Sequence, residues 1–560
     1  MRRNMVGGAL RLLRSLSAGG LVLGTIFFVA SLTPTLIPRS LLMQGGLSGG
    51  CFAIGYGLGV AWRWLWRYMQ LREPRDRYRK IMKIGAFAIC LPLAMLFLYK
   101  TTGWQNSIRE RMDMEPVGSA HPIEIGVIAL LAFITLLMLT RLFLAVVNLI
   151  SSKADRILPP RISRVIGFSL GIVLFWSVAN GLLIRYALHV LDSSFAAFDV
   201  MFEPDQDQPT SPLQPGSPAS LISWAELGRT GRGFVSSGPS ADDIAKFTGQ
   251  AAQQPIRVYA GLRSGGNAKE RAKLAFEELK RVGGFERSIL VVITPTGTGW
   301  IDPAAIDTIE YLYRGDVASV AVQYSYLSSP LSLLVEPDYG EEAAQALFAQ
   351  IYQYWTTLPH SHRPKLYLHG LSLGALNSER SAELFEVLAD PIQGALWSGP
   401  PFASRVWRQV TEARNAGSPA WLPQFRDGST FRFMNQNGTT ALAEAPWGPM
   451  RIVYLQHASD AITFFDYRDL YRQPDWMEAP RGPDVSDQLQ WFPIVTMLQL
   501  AVDMMAANTT PMGFGHVFAP EHYLRAWLLV ADLPGWSPQE ITRLAHHLTE
   551  QRSISNISAD

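Results

Sequence analysis

In this 560-residue chain Ser48 and Ser372 each sit in the pattern Gly-x-Ser-x-Gly, and their surroundings differ. Gly46-Leu47-Ser48-Gly49-Gly50 lies inside a long apolar segment. Gly370-Leu371-Ser372-Leu373-Gly374 follows the strand-like run Lys365–Leu368 and precedes a helical pattern over Ala375–Ala389. A strand that turns sharply into a helix needs small residues on both sides of the serine, and the turn projects the hydroxyl beyond the end of the sheet. Ser372 is therefore the candidate nucleophile, with Gly370 and Gly374 as the elbow glycines; the alternative for Ser372 is a plain helix N-cap.

A serine hydroxyl attacks only when a base takes its proton, and the base needs a carboxylate to orient it and to stabilise its charged form. In the strand-turn-helix type of serine enzyme the chain order is Ser, acid, His. Asp460 follows the strand-like run Arg451–Leu455 and stands where the acid is expected. Asp466 and Asp469 come too late for that loop and read as surface charges. Met512-Gly513-Phe514-Gly515-His516 presents an imidazole on a glycine-flanked loop before a helical run, Val517–Val530, so His516 is the expected base. His522, inside that run, and His457, just ahead of the acid, are the alternatives.

The oxyanion formed on attack needs preorganised N–H donors. The run Ile289–Thr294 ends in Thr294-Pro295-Thr296-Gly297-Thr298-Gly299-Trp300, which offers Thr296, Gly297 and Thr298; the amide of Leu373, after the nucleophile, is the second donor. A phosphate cradle is the alternative for this loop, but it lacks the lysine of a P-loop. His546-His547 and the scattered aspartates show no metal-ligand spacing, and no cofactor is implied.

The elements that position these residues read as a mostly parallel sheet with flanking helices. Strands are expected at Ile256–Tyr259, Ile289–Thr294, Val317–Gln323, Lys365–Leu368, Ala395–Trp397 and Arg451–Leu455. Helices are expected at Ala268–Val282, Gly340–Thr357, Ala375–Ala389 and Asp487–Ala507. No strand is legible between Asp460 and His516, where Pro-rich turns and a helix stand instead. Gln323-Tyr324-Ser325-Tyr326-Leu327 follows a strand and reads either as pocket lining or as packing. Trp491–Met505 is apolar with helical spacing and reads as a core helix, the alternative being a lid. The Pro-, Ser- and Gln-rich stretch Glu203–Ser220 reads as a linker. The expected division is a helical region at 1–191, a linker at 192–229 and a sheet-containing domain at 230–560.

Ahead of the linker, five apolar segments approach the roughly 20 residues that a helix needs to cross a bilayer: Leu16–Ile37, Leu41–Leu65, Ile81–Tyr99, Ile123–Val147 and Val165–Leu188. Their glycines suggest close helix packing. The first segment, after Arg2, Arg3, Arg11 and Arg14, reads as a retained anchor because no small-residue cleavage site follows it. Basic residues crowd the N-terminus, Arg72–Lys83 and Lys153–Arg164, which marks those loops as cytoplasmic and places everything after Leu191 on the other side. The net charge is +2 and the second half has no basic patch with interleaved aromatics, so nucleic acid is not expected as a partner. Both cysteines, Cys51 and Cys90, lie in the apolar half and imply no disulfide framework.

The blocks VVITPTGTGWIDP, GDVASVAVQYSYL, RPKLYLHGLSLGA, GALWSGPP and YLQHASDAITFF together resemble the bacterial membrane-anchored α/β-hydrolase family, in which a multi-spanning N-terminal region precedes a hydrolase domain. The resemblance implies a triad of Ser372, Asp460 and His516 in a domain outside the cytoplasm or facing the inner membrane, and implies no particular substrate. The function expected is a multi-pass serine hydrolase of the esterase or lipase kind, or an acyltransferase, acting on acyl esters of membrane lipids or lipid-linked molecules. The rival is a non-catalytic scaffold or transporter-like protein that uses the hydrolase fold as a binding module.

Overall fold

The computed structural model describes residues 15–178, 181, 199, 206–327, 338–382, 387, 389–439, 445–531, 533 and 535–557. The chain divides into two compact units. One contains Met1–Ala187, Phe465–Met477 and Pro483–Ala506; the other contains Leu188–Phe464, Glu478–Gly482 and Ala507–Asp560. A continuous domain over 230–560 is thus not what forms. Most of the chain between Asp460 and His516 belongs with the N-terminal helices, because its apolar residues find their core there.

In the second unit, the described residues form an eight-stranded sheet: β1 Ile256–Ala260, β2 Ile289–Thr294, β3 Val317–Val322, β4 Lys365–Leu371, β5 Gly394–Ser398, β6 Phe431–Asn435, β7 Gly438–Thr439 and β8 Arg451–Leu455. The order across the sheet is β1-β3-β2-β4-β5-β8-β6-β7. Every pairing is parallel except β6 with β7. β2 and β3 are buried at every position, which explains their continuous apolar sequences: helices cover both faces of a parallel sheet, so neither face needs polar alternation.

Six strands lie where hydrophobic runs predict them. β6 and β7 do not announce themselves, because Phe431 and Arg432 remain half-buried and the run is short. β6 pairs with the outer side of β8. It thereby takes the seat beyond the acid-bearing strand, and among the described residues no strand lies between Asp460 and His516.

Two expected helices are shorter than their patterns. The one after the nucleophile runs Leu373–Ser381, and residues 383–386 and 388 of the expected extension lie outside the described residues. The one expected at Asp487–Ala507 runs Val495–Met505, since Ile494, at φ 67°, breaks the helical backbone beside Pro493, which has no N–H to give a helix hydrogen bond. The described part of the expected linker is packed rather than loose: Ile222 and Leu227 are fully buried, and the Ser220 hydroxyl and Leu221 amide donate to the Glu278 carboxylate at 2.6 and 3.0 Å.

The first unit holds helices Ala18–Ser31, Leu41–Tyr68, Asp76–Arg111, Pro122–Ala154 and Pro160–Trp176. Glycine lets them touch at the backbone. A Cβ on Gly49 would stand 2.5 Å from the Ala129 carbonyl oxygen, and one on Gly59 would stand 2.6 Å from that of Gly19. Two helices, Asp76–Arg111 and Pro122–Ala154, are long and apolar enough to cross a membrane. Among the described residues, the helices of the other three expected spans do not meet both measures. Ala18–Ser31 has 14 residues and is about 21 Å long, against roughly 30 Å of hydrocarbon. Leu41–Tyr68 is glycine-rich and ends among arginines, and Pro160–Trp176 has 17 residues. Residues 179, 180 and 182–188 of the fifth expected segment lie outside the described residues.

Val495–Met505 packs in this unit as a core helix. Val495 joins Ala30, Leu47 and Cys51, with Phe27, Phe492, Leu498 and Val502 around them. Its Asp503 is fully buried and accepts from Arg39 Nε at 2.7 Å, from the Leu36 amide at 3.3 Å and from the Thr35 hydroxyl. Arg39 also donates to Gln44 Oε1 and the Gln499 carbonyl, each at 3.2 Å. Breaking one side of a buried ion pair strands the other charge away from water. Asp503→Ala is therefore expected to destabilise this unit by about 3–5 kcal/mol, whereas the double replacement Arg39→Met/Asp503→Leu costs less than either single change. Denaturant unfolding of the detergent-solubilised protein, followed by tryptophan fluorescence, checks the order.

Candidate functional site

β4 ends at Leu371 and the next helix starts at Leu373, leaving Ser372 alone to turn the chain. It does so at φ 58° and ψ −125°, a region that ordinary side chains avoid and that costs on the order of 1–3 kcal/mol. Although Ser372 occupies the N-cap position, its hydroxyl makes no capping bond, so the plain N-cap reading does not describe it. The flanking glycines have steric causes. A Cβ on Gly370 would lie 2.3 Å from the Gly374 carbonyl, and one on Gly374 would lie 2.2 Å from the Thr294 carbonyl oxygen at the end of β2. The Gly-x-Ser-x-Gly match at Ser48 has no such turn: Ser48 is inside the Leu41–Tyr68 helix, where its hydroxyl meets Ser31 Oγ and Gln44 Nε2, each at 2.9 Å.

Asp460 lies on the loop after β8, is fully buried, and meets only donors. Its Oδ1 accepts from the Ile462 amide at 2.9 Å, and its Oδ2 accepts from the Thr463 hydroxyl at 3.1 Å and from His516 Nδ1 at 2.7 Å. A carboxylate can only accept, so His516 carries its proton on Nδ1 and leaves Nε2 with a lone pair. That Nε2 is buried and has no hydrogen-bond partner among the described residues, so no hydrogen bond joins it to the Ser372 hydroxyl in this structure. Ser372 and His516 both flank the end of β5. The Ser372 amide donates to the Ser398 carbonyl at 3.0 Å, and the His516 ring lies so close to Gly399 that a Cβ there would be 2.5 Å from its Cε1.

The other candidates go elsewhere. Asp466 and Asp469 cap a short 3-10 turn for each other. His457 and His522 contact one another, Nε2 to Nδ1 at 3.1 Å, whereas the imidazole bonded to the Asp460 carboxylate is that of His516. His369, just before the elbow, is buried and bonds the Leu396 carbonyl through Nδ1 at 2.9 Å; burial pushes its imidazole down to about 4.

The turn after β2 runs against the elbow, since the Thr294 and Pro295 carbonyls are what a side chain on Gly374 would strike. Inside it, Thr296 turns both its amide and its hydroxyl toward the Trp300 carbonyl, at 2.9 and 3.1 Å, and its Oγ1 is 3.4 Å from that of Thr298. Leu373 N–H sits in the first turn of its helix, where amides have no intrahelical acceptor. Two residues that brace the turn are invisible to motif reading. The Tyr259 hydroxyl donates to the Gly299 carbonyl at 2.9 Å, and Gln323 reaches the Thr298 carbonyl at 3.4 Å while accepting from the Leu262 amide at 3.0 Å. Gln323 and Tyr324, from the segment read as lining or packing, are both buried. Among the described residues no group of three or more His, Cys, Asp or Glu could hold a metal ion.

Two predictions come from this geometry. Gly374→Ala forces β2 and the elbow apart, so covalent labelling at Ser372 by a fluorophosphonate is expected to be abolished even where folded protein is recovered. For His369, the folded-state value of about 4 lies below the unfolded value of about 6.5, so the unfolded chain binds the extra proton first. Stability is unaffected at pH 7, declines as pH falls below about 6.5 and stops declining below about 4, a total of about 3 kcal/mol from this group. His369→Asn should flatten that part of the acid limb when urea unfolding is measured from pH 7 to pH 4.

Residues 256–544 match the alpha/beta-hydrolase family, and residues 32–239 match the family described as the alpha/beta-hydrolase family N-terminus. No curated protein and no solved structure matches the chain. With more than half of its length inside the first match, and with a largely parallel sheet that delivers Ser372 at a strand-to-helix turn, the chain belongs to the alpha/beta-hydrolase family.

Proposed function

We propose that this protein is a membrane-bound serine hydrolase or acyltransferase of the esterase or lipase kind, working through Ser372, His516 and Asp460. The observation that carries the reading is the 2.7 Å bond from His516 Nδ1 to buried Asp460, which leaves Nε2 unpaired beside the β5 end that also holds Ser372. In this reading Nε2 takes the Ser372 proton as Oγ attacks an ester carbonyl. The Leu373 amide and the Thr296-Gly297-Thr298 turn receive the oxyanion, and His516 then returns the proton to the leaving alcohol. Water completes a hydrolysis; a second hydroxyl in its place completes an acyl transfer.

A lipid or lipid-linked acyl ester is the substrate class we favour, because the same chain carries two helices able to cross a bilayer and exposes Trp62, Trp64 and Trp66 at the end of a third. We further propose a multi-pass protein of the inner membrane whose basic segments 72–83 and 153–164 face the cytoplasm, with the catalytic unit on the opposite side.

The test is labelling of the full-length protein by a fluorophosphonate probe in native membranes. Wild type is expected to label at Ser372, and Ser372→Ala not at all. Asp460→Asn and His516→Ala should slow labelling by at least about 10³-fold. A folded wild type that resists the probe, or Ser372→Ala that still reacts, overturns the serine mechanism in favour of a binding module.

A further inference from the structure

The acid loop His457-Ala458-Ser459-Asp460 grips the base loop at three points rather than one. Asp460 takes the His516 ring, the Ser459 hydroxyl accepts from the Gly515 amide at 2.9 Å, and His457 Nδ1 lies 2.8 Å from the Gly515 carbonyl. That carbonyl belongs to the peptide bond that leads into His516. The opposite end of the same peptide, the His516 N–H, donates to the Ala507 carbonyl at 3.3 Å. The peptide plane that sets the direction of the His516 side chain is thus held at both edges. It needs holding, because Gly513 and Gly515, at φ 93° and 54°, make this stretch one that many conformers could satisfy.

A carbonyl only accepts, so His457 must carry a proton on Nδ1. When its ring is neutral, Nε2 is then an acceptor, and His522 must donate to it from Nδ1 at 3.1 Å. His522 Nε2 in turn lies 3.6 Å from the Glu521 carboxylate. The tautomer of His457 therefore constrains that of His522. The His457 ring is also clamped sterically, stacked on Phe518 with centroids 4.5 Å apart. Both histidines are buried.

We propose that His457, backed by His522, is a positioning residue for the base: an imidazole pair outside the triad that fixes the 515–516 peptide and so the approach of His516 Nε2 to the nucleophile. The proposal rests on the Ser372–His516–Asp460 reading given above. Deleting the His457 ring releases one edge of that peptide and lets the base drift, while the surfaces that receive the probe are untouched.

Saturation labelling with a fluorophosphonate on the detergent-solubilised full chain separates the two effects, since it yields a probe affinity and a maximal inactivation rate. His457→Ala is expected to lower the maximal rate by about 100-fold, the order expected for a catalytic group displaced by about 1 Å, with affinity unchanged. His457→Asn, whose side-chain amide nitrogen can take the place of Nδ1 and donate to the Gly515 carbonyl, should recover most of the rate. His522→Leu, which removes only the backing ring, should lower the rate by about tenfold, again at unchanged affinity. Thermal unfolding of each variant identifies folded protein, and if His457→Ala does not fold, the asparagine and leucine variants carry the test. Wild-type rates in His457→Ala or in His522→Leu, or an asparagine variant as slow as the alanine one, overturn the positioning role while leaving the triad reading intact. Absence of Ser372 labelling in wild type overturns the triad reading and this proposal with it.

Discussion

The hydrogen bond between Asp460 and His516 closes 56 residues of chain, most of which lie outside the unit where the bond is made. The chain leaves that unit after Phe464 and finally returns to it at Ala507. A loose excursion of that length would add closure entropy and leave the base free to wander. Here the excursion has its own core, through Val495 and its neighbours, and its own buried ion pair, Arg39 with Asp503. The two ends that return are also short: a single turn of helix, Ala461–Phe464, follows the acid, and a few residues from Ala507 precede the base.

Close approach is the second constraint, and it recurs in both units. At the elbow, Gly374 rides on the carbonyl of Thr294, which brings the start of a helix against the end of β2. Gly399 makes room for the His516 ring. In the helical unit, Gly49, Gly55 and Gly59 let three helices meet at carbonyl distance. At all of these positions but Gly399, where side chains would be struck, a single methyl group would have to displace backbone, which leaves no cheap relaxation.

Several buried charges inside the second unit are paired. Arg257, buried, is held by Glu310 and Asp307, and Asp302 by Tyr523 and Arg552. His516 Nε2 is one of several buried polar atoms of this unit that lack a hydrogen-bond partner among the described residues, and in the proposed mechanism it is the one that receives the Ser372 proton.

Six of the strands and the Gly370-x-Ser372-x-Gly374 elbow were legible from local pattern alone. Runs such as Ile289–Thr294 have no polar alternation because both faces are covered, and Gly370-x-Ser372-x-Gly374 reflects sterics within a few residues. Local pattern could not reveal β6, whose place beside β8 depends on a distant partner. Nor could it reveal Tyr259 and Gln323 bracing the turn, or His457 holding Gly515, since each acts across dozens of residues through a hydrogen bond that no spacing encodes. Where each apolar segment starts and stops as a helix was hidden for a related reason: apolar composition reports that a segment is buried or membrane-facing, but helix length and termination are set by prolines, glycine contacts and neighbours. Sequence by itself determined which residues could do chemistry and which runs would become the sheet, because those depend on side-chain type and local sterics. Only the tertiary structure decided which histidine meets the acid and which unit the intervening chain joins, because both are contests among distant partners for the same buried contacts.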